Sequence, residues 1–462
     1  MAQDVNMAGP VVLARPGWRA GHAGARRRIS RAFSTGARLP RSLEHRAPMK
    51  LAEMEAMQRG GQLGPVTGYT FAERGKPSKD RVNYASFGLV AAGCIVYVLA
   101  SFDDVNSFSQ QLGYFILRTQ GPESQRNCVL WLGRHDLLGC DFQREDPHMR
   151  MVVGGLETYT PFGLAPGYDV DGRAAIALLK AGFGLVEVGT VTPQPQGEGC
   201  RMEPVEGGAS STGWSNPGAA VVAKNLSQLN KADALCSQSV IGVSLAFGSD
   251  SETVSDLVEA FTMLAPYVSY VCLTYPESSP SKFSPSIDAL ARVADIMGGE
   301  EPTKLFVRVP GDASTEVLDD CCAAARAGKV AAIAVGCGVR DPDGDGWRLS
   351  GAPCKQASLD TVRALSQALK GTEVSIVASN GVMTSNDAME FVEAGACFLQ
   401  VYSAFAFGTP SSIRFLKSGC SRMMYNRRHY SLMDAVAAVD KPPPKKKPAK
   451  KPRSFMSASE LA

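Results

Sequence analysis

Histidine is missing from residues 149–428; the five histidines of this chain all lie outside that stretch. The gap argues against a metal hydrolase with imidazole ligands. Twelve cysteines are present, yet no two form a Cys-x-x-Cys pair. That spacing suits neither a disulfide framework nor a zinc finger, so buried reduced thiols are expected, the adjacent Cys321 and Cys322 included. No Gly-x-Gly-x-x-Gly follows the first candidate strand, which counts against an open dinucleotide-binding sheet. Net charge is only +3, with much of the basic excess at the two ends, so no nucleic-acid surface is expected on the body. Hydrophobic content of 45% against 20% charged residues is that of a globular chain with a sizeable core. A length of 462 residues allows one large domain with appendages, or two or three ordinary ones.

Acidic residues are absent from Val5 to Leu43, while eight arginines fall between Arg15 and Arg41. An acid-free, Arg-rich start is the pattern of a mitochondrial transit peptide, assigned here to 1–45, with a basic arm as the alternative. Arg31-Ala-Phe-Ser34 looks like a matrix-protease site that would leave Ser34 first. Residues 46–84 read as a linker. Residues 85–102 form an uncharged run of eighteen. That length is short but adequate for a transmembrane helix, since roughly 20 residues span the hydrocarbon; a buried core helix is the alternative. Arg81 precedes the run, and Asp103 and Asp104 follow it, which places its N-terminal side on the more positive face. Residues 104–150 read as a helical cap of two short amphipathic helices, broken at Gly121-Pro-Glu-Ser124, with Glu123 or Ser124 capping the second. The tail 431–462 includes seven cations interleaved with prolines between Lys441 and Arg453. Such a composition stays solvated, or docks on anionic lipid or an acidic partner.

Between 151 and 430 the pattern changes to short apolar runs alternating with amphipathic helices. Candidate strands are 163–165, 185–188, 240–244, 270–273, 305–309, 332–335, 375–378 and 398–401. Eight strands, each followed by a helical pattern, predict an α/β fold of the closed (β/α)8 TIM-barrel type; an open doubly wound sheet is the alternative. The expected architecture is that barrel preceded by a transmembrane helix and a small helical cap.

Several runs carry a resemblance. They are Gly121-Pro-Glu-Ser124, Gly163-Leu-Ala-Pro-Gly-Tyr-Asp-Val-Asp-Gly172, Lys180-Ala-Gly-Phe-Gly-Leu-Val-Glu-Val-Gly-Thr190, Val191-Thr-Pro-Gln-Pro-Gln196, Leu349-Ser-Gly351, Asn380-Gly-Val382 and Leu399-Gln-Val-Tyr-Ser403. In this order, over 105–430, they resemble the membrane-bound, quinone-reducing class of the dihydroorotate dehydrogenases. The resemblance implies a mitochondrial inner-membrane protein with its barrel on the intermembrane-space side, and a cap that tunnels from lipid to flavin. It also implies FMN, with ubiquinone as acceptor if the chain is active. Ala165, Gly167, Gly189 and Thr190 match FMN contacts on one side, and Ser350, Gly351, Gly381, Tyr402 and Ser403 match the phosphate side. In such barrels a phosphate rests on amides and helix N-termini of late loops. The glycines among them also suit plain tight turns.

Elsewhere the chain departs from the family. A first-loop lysine is Val170, and a lysine that stabilises charge on reduced flavin is Arg308, a bulkier, forked cation. Asparagines that touch ring or substrate are Ser215, Ser244, Cys272 and Cys337, and a threonine near the ring is Gly336. In place of an Asn-x-Ser-Ser-Pro-Asn run stands Cys272-Leu-Thr-Tyr-Pro-Glu277. The four substrate amides thus become Ser215, Cys272, Glu277 and Cys337, at about 1–3 kcal/mol for each hydrogen bond unmade. Glu277 would face a substrate carboxylate, with a repulsion of about 4 kcal/mol at about 4 Å. The serine base becomes Tyr275, or Thr274 if the alignment slips by one. A tyrosine with a reference pKa near 10 suits pocket filling better than proton abstraction. Cys272 and Cys337 read as buried apolar thiols, and no metal site is expected. The implied function is a dihydroorotate dehydrogenase-like pseudoenzyme with FMN weak or lost, held among other membrane-complex subunits as an accessory component of a respiratory-chain complex. The alternatives are an active FMN-dependent, quinone-reducing dehydrogenase, or a flavin oxidoreductase for another, cationic substrate paired with Glu277.

Overall fold

The computed structural model describes residues 122–197, 201–212, 215–229, 240–249, 251–299, 302–342, 348–408 and 410–438, together with Asp104 and Asn106. The expected transit peptide, linker, transmembrane run and first cap helix lie outside these residues. Among the described residues no helix is long and apolar enough to cross a membrane. The tail assignment needs one correction: Leu432–Ala437 is a helix with Leu432 and Ala435 buried, opened by a Ser431/Asp434 capping box.

Eight strands close the barrel: β1 Phe162–Leu164, β2 Leu185–Val191, β3 Val240–Leu245, β4 Tyr270–Thr274, β5 Lys304–Val309, β6 Ala332–Val335, β7 Ser375–Ala378 and β8 Phe398–Val401. All neighbours are parallel, and β8 pairs back onto β1 through Leu399 opposite Phe162. Strands of a parallel barrel are covered on both faces, which is why these runs are almost wholly apolar. Alternate residues point inward. Tyr270, Cys272, Phe306, Ala334, Val377 and Phe398 form the interior cluster, while Val271, Leu273, Val307, Ile333 and Leu399 face the helices. Small residues make room for large ones across the interior. A Cβ on Gly242 would lie 2.1 Å from the Tyr270 ring, and one on Gly163 2.6 Å from Phe398. Tyr270 stacks on Phe306 with ring centroids 4.2 Å apart.

Among the described residues six short antiparallel strands add to the expected eight. Met151–Val153 and Leu156–Thr158 form a hairpin whose Val153 joins the interior cluster, so it plugs the barrel's lower end. Gly154 at its tip donates to Ser375 Oγ at 2.9 Å. A sheet over the mouth is built from Arg201–Val205, Gly208–Thr212, Val339–Arg340 and Arg348–Gly351, with Ser350 opposite Ala209.

The described cap helix runs Pro122–Arg134, acidic in its first turn and basic in its last, as the helix dipole favours. Proline stands at its first position, where the missing N–H costs nothing. Glu123 and Ser124 therefore lie inside the first turn rather than at the N-cap. Gly133 lets this helix close on Ala175–Lys180, since a Cβ there would already sit 3.1 Å from Ala174. The loop after the cap is pinned by Lys417, which is 3% exposed. Its Nζ donates to Asp141 at 2.9 Å, Glu145 at 2.6 Å and the Gly182 carbonyl at 3.0 Å.

Candidate functional site

A cavity of about 1040 Å³ lies between the cap helix, the upper strand ends and the mouth sheet. Of the nine residues expected on the cofactor side, Ala165, Gly167, Thr190, Ser350 and Tyr402 line it. Gly189, Gly351, Gly381 and Ser403 stand behind that wall. Three of these glycines have packing reasons of their own. A Cβ would meet the Ser244 carbonyl at 2.8 Å from Gly189, the Gly207 carbonyl at 2.5 Å from Gly351, and the Lys355 backbone at 2.6 Å from Gly381. They are demanded by the fold whether or not a ligand binds.

The floor of the cavity is an ion pair sealed inside the barrel. Arg308 of β5, 3% exposed in its side chain, meets Glu187 of β2 at 2.6 Å. The same Nη2 donates to Gln400 Oε1 at 2.9 Å, while Nη1 donates to Ser379 Oγ at 2.5 Å. Gln400 and Tyr270 donate in turn to Glu187 Oε2, at 2.6 and 2.8 Å. Burial works against the Arg308 charge, but the Glu187 carboxylate and the other groups around it together outweigh that, and the guanidinium is held protonated more firmly than usual. Arg308 lines the cavity, as expected, but its charge is already answered from below. Glu187, Gln400, Ser379 and Tyr270 were not singled out from the sequence. Charged or amide residues inside otherwise apolar strands, Glu187 in 185–191 and Gln400 in 398–401, were the available signal.

At the end of β4 the alternation decides the base position. Tyr270, Cys272 and Thr274 point inward, so Tyr275 turns outward and packs edge-on against Phe283, centroids 5.0 Å apart. It does not fill the pocket, contrary to expectation; burial there pushes its phenol up. Thr274 is 2% exposed and meets Ser244 Oγ at 3.1 Å, which meets Thr190 Oγ1 at 3.2 Å. A chain of three hydroxyls thus runs from the barrel interior to the cavity wall.

The four expected substrate positions separate. Ser215 and Cys337 line the cavity, whereas Cys272 and Glu277 do not. Ser215 is exposed. Its buried neighbour Asn216 accepts from the Thr192 and Gly218 amides at 3.2 and 3.0 Å, a loop-bracing role. Cys272 is fully buried in the interior cluster, and burial, then Glu187, pushes its thiol well up. Cys337 takes a left-handed backbone, φ 65°; burial pushes its thiol up to about 12. Neither is poised as a nucleophile. Glu277 also corrects its expectation. It is no bare carboxylate facing a substrate but pairs with Arg348, whose Nη1 reaches Asp312 at 3.2 Å. Arg348, missed from the sequence, is the one of the three that lines the cavity.

The family model Dihydroorotate dehydrogenase matches residues 149–424. The chain belongs to the dihydroorotate dehydrogenase family. The "Dihydroorotate dehydrogenase (quinone)" of Novosphingobium aromaticivorans is 30% identical over 315 residues, 63% of this chain and 88% of that protein. The "Dihydroorotate dehydrogenase (quinone), mitochondrial" of Mus musculus is 26% identical over 368 residues, 74% of this chain and 92% of that protein. Among solved structures, the ligand-free type DHODH of Eimeria tenella superposes with a TM-score of 0.64 at 24% identity, covering 70% of this chain and all of that one. That likeness supports the barrel fold.

FMN is the cofactor that family membership implies, and the cavity residues fit it in part. The volume suits a ligand of that size, and Ser350, Asn380, Tyr402 and Ser403 gather polar groups at one end. The buried Asn380 Nδ2 makes no hydrogen bond among the described residues; burial pushes the nearby Cys354 thiol up to about 11, with Asn380 opposing that in part. The ring end offers Thr190 and the backbone of Ala165 and Gly167, over the neutralised Arg308–Glu187 pair.

Proposed function

We propose that this dihydroorotate dehydrogenase-family protein keeps a flavin-sized cavity but no longer oxidises dihydroorotate. We further propose that it serves at the mitochondrial inner membrane as an accessory subunit of a respiratory-chain complex. The observation that carries the first part is the end of β4. Dihydroorotate oxidation needs a base to take a proton from carbon beside the flavin, within about 3 Å of it. Tyr275 faces the helices, Thr274 is closed behind Ser244, and no asparagine amide stands at Ser215, Cys272 or Cys337 to orient a pyrimidine. FMN, where bound, supplies hydride acceptance. Ser350, Tyr402 and Ser403 would hold its phosphate, and Thr190 with the Ala165–Gly167 backbone its ring. The membrane part is supported by the Arg-rich start, the apolar run 85–102 and the basic tail.

A second reading is favoured by specific observations. The relatives compared are named quinone-dependent dehydrogenases, and the hydroxyl chain Thr274–Ser244–Thr190 ends at the cavity. On that reading Thr274 is the base, with FMN and ubiquinone as acceptors. Turnover of dihydroorotate with a quinone dye separates the two. The proposed function predicts a rate no higher for the native chain than for Thr274→Val. A rate that this substitution abolishes establishes the dehydrogenase. The accessory role predicts co-migration with a larger complex from solubilised mitochondria, and migration alone refutes it.

A further inference from the structure

We propose that Asn380 is a gate on the phosphate end of the cavity, its side-chain carbonyl standing where a flavin's phosphate oxygen would sit. The proposal rests on the reading that the cavity takes a flavin. Asn380 follows β7 and is 8% exposed, with part of its surface on the cavity. Its Oδ1 accepts from the Gly381 amide at 3.1 Å and from the Gly351 amide at 3.4 Å. Both glycines hold left-handed backbones, φ 81° and 84°. Two N–H groups converging on one point form the kind of concavity that attracts an anion, and here a neutral oxygen of the protein fills it.

Two serine hydroxyls at this end are also spent internally. Ser350 Oγ donates to the Ala209 carbonyl at 3.1 Å, and Ser403 Oγ to Ser350 Oγ at 3.4 Å. The orientation of the Asn380 amide follows from its partners, because turning it over would aim Nδ2 at two donors. A phosphate therefore enters only by displacing that carbonyl. A flavin lacking the phosphate has no such competitor. The gate sets the preference between phosphorylated and unphosphorylated flavin, and its removal makes the site selective for the phosphate.

The test is titration of FMN and of riboflavin into the full chain, read by flavin fluorescence, for the native protein, Asn380→Gly and Asn380→Asp. The native chain is expected to bind the two flavins within about threefold of each other. Asn380→Gly, with both amides released, gains about tenfold for FMN and leaves riboflavin unchanged. Asn380→Asp keeps the acceptor but adds a charge, so it loses FMN and retains riboflavin. Asn380→Ala repeats the gain without added backbone freedom, should the glycine variant fold poorly. Weaker FMN binding in Asn380→Gly or Asn380→Ala overturns the proposal, since Asn380 would then hold the phosphate. So does a native preference for FMN of more than about tenfold. Riboflavin and FMN both failing to bind any folded variant refutes the flavin reading, and the gate with it.

Discussion

Replacing Glu187 with glutamine removes one charge from the barrel interior and leaves its partner buried. Arg308 would keep its full charge at 2% exposure, answered only by the neutral oxygens of Gln400 and Ser379. The new side-chain amide would also face donors. Gln400 Nε2 and the Tyr270 hydroxyl both donate to Glu187 Oε2 in the native barrel, and an NH2 group in that place meets one of them head-on. Breaking a buried pair in this way costs about 3–5 kcal/mol. For a domain of this size that lowers the melting temperature by roughly 6–20 °C. Replacing both partners, as in Glu187→Leu/Arg308→Met, removes the stranded charge and is expected to recover most of the loss, because desolvating the ions already offsets much of their attraction. Thermal unfolding of Glu187→Leu, Arg308→Met and the double variant, treated as a double-mutant cycle, measures the coupling. A Glu187→Gln variant that melts within about 2–4 °C of the native chain, roughly 1 kcal/mol, would refute the sealed-pair account.

Other outcomes follow from the same geometry. Lys417→Met takes from Asp141, which is 1% exposed, its closest cation and leaves the longer Arg414 pair at 3.6 Å and the Asn106 amide at 3.0 Å. It should cost about 1–3 kcal/mol and expose 140–146 to limited proteolysis; unchanged cleavage would argue against the pin. Tyr275→Ala removes the Phe283 contact and should destabilise by about 1–3 kcal/mol without altering flavin affinity, whereas a shift in that affinity would place the ring in the cavity after all. Burial, then the charge of Asp171, raises the Asp169 carboxyl to about 7. A carboxyl raised on folding contributes stability that is complete below its ordinary value of 3.8 and is lost as pH climbs to about 7. The melting advantage of Asp169→Asn over the native chain should therefore widen across that interval and level off above it. A gap independent of pH contradicts the assignment.

The barrel was legible because burial on both faces forces each strand into an apolar run, and all eight runs coincide with strands. The hairpin 151–158 and the mouth sheet were not, since their strands are short, partly polar and paired across long separations, Ser350 with Ala209 for example. Within the site, strand parity was a usable signal. Counting by twos from Tyr270 puts Thr274 inside and Tyr275 outside, and the local sequence alone, matched without that count, sends the tyrosine inward. Pairing is a different matter. Glu277 and Arg348 meet although they stand 71 positions apart in sequence, and nothing local to either residue announces the other. The self-filled cradle around Asn380 depends on two amide directions that only the folded backbone supplies.

The most direct measurement is an anaerobic half-reaction. The chain is loaded with FMN, mixed with L-dihydroorotate, and its flavin absorbance followed, with orotate assayed in the filtrate. With no base on the cavity face of β4, the flavin band should persist and no orotate should form. Rapid bleaching with stoichiometric orotate would show that the barrel still carries out the family's reaction, and the proposed loss of function would be wrong.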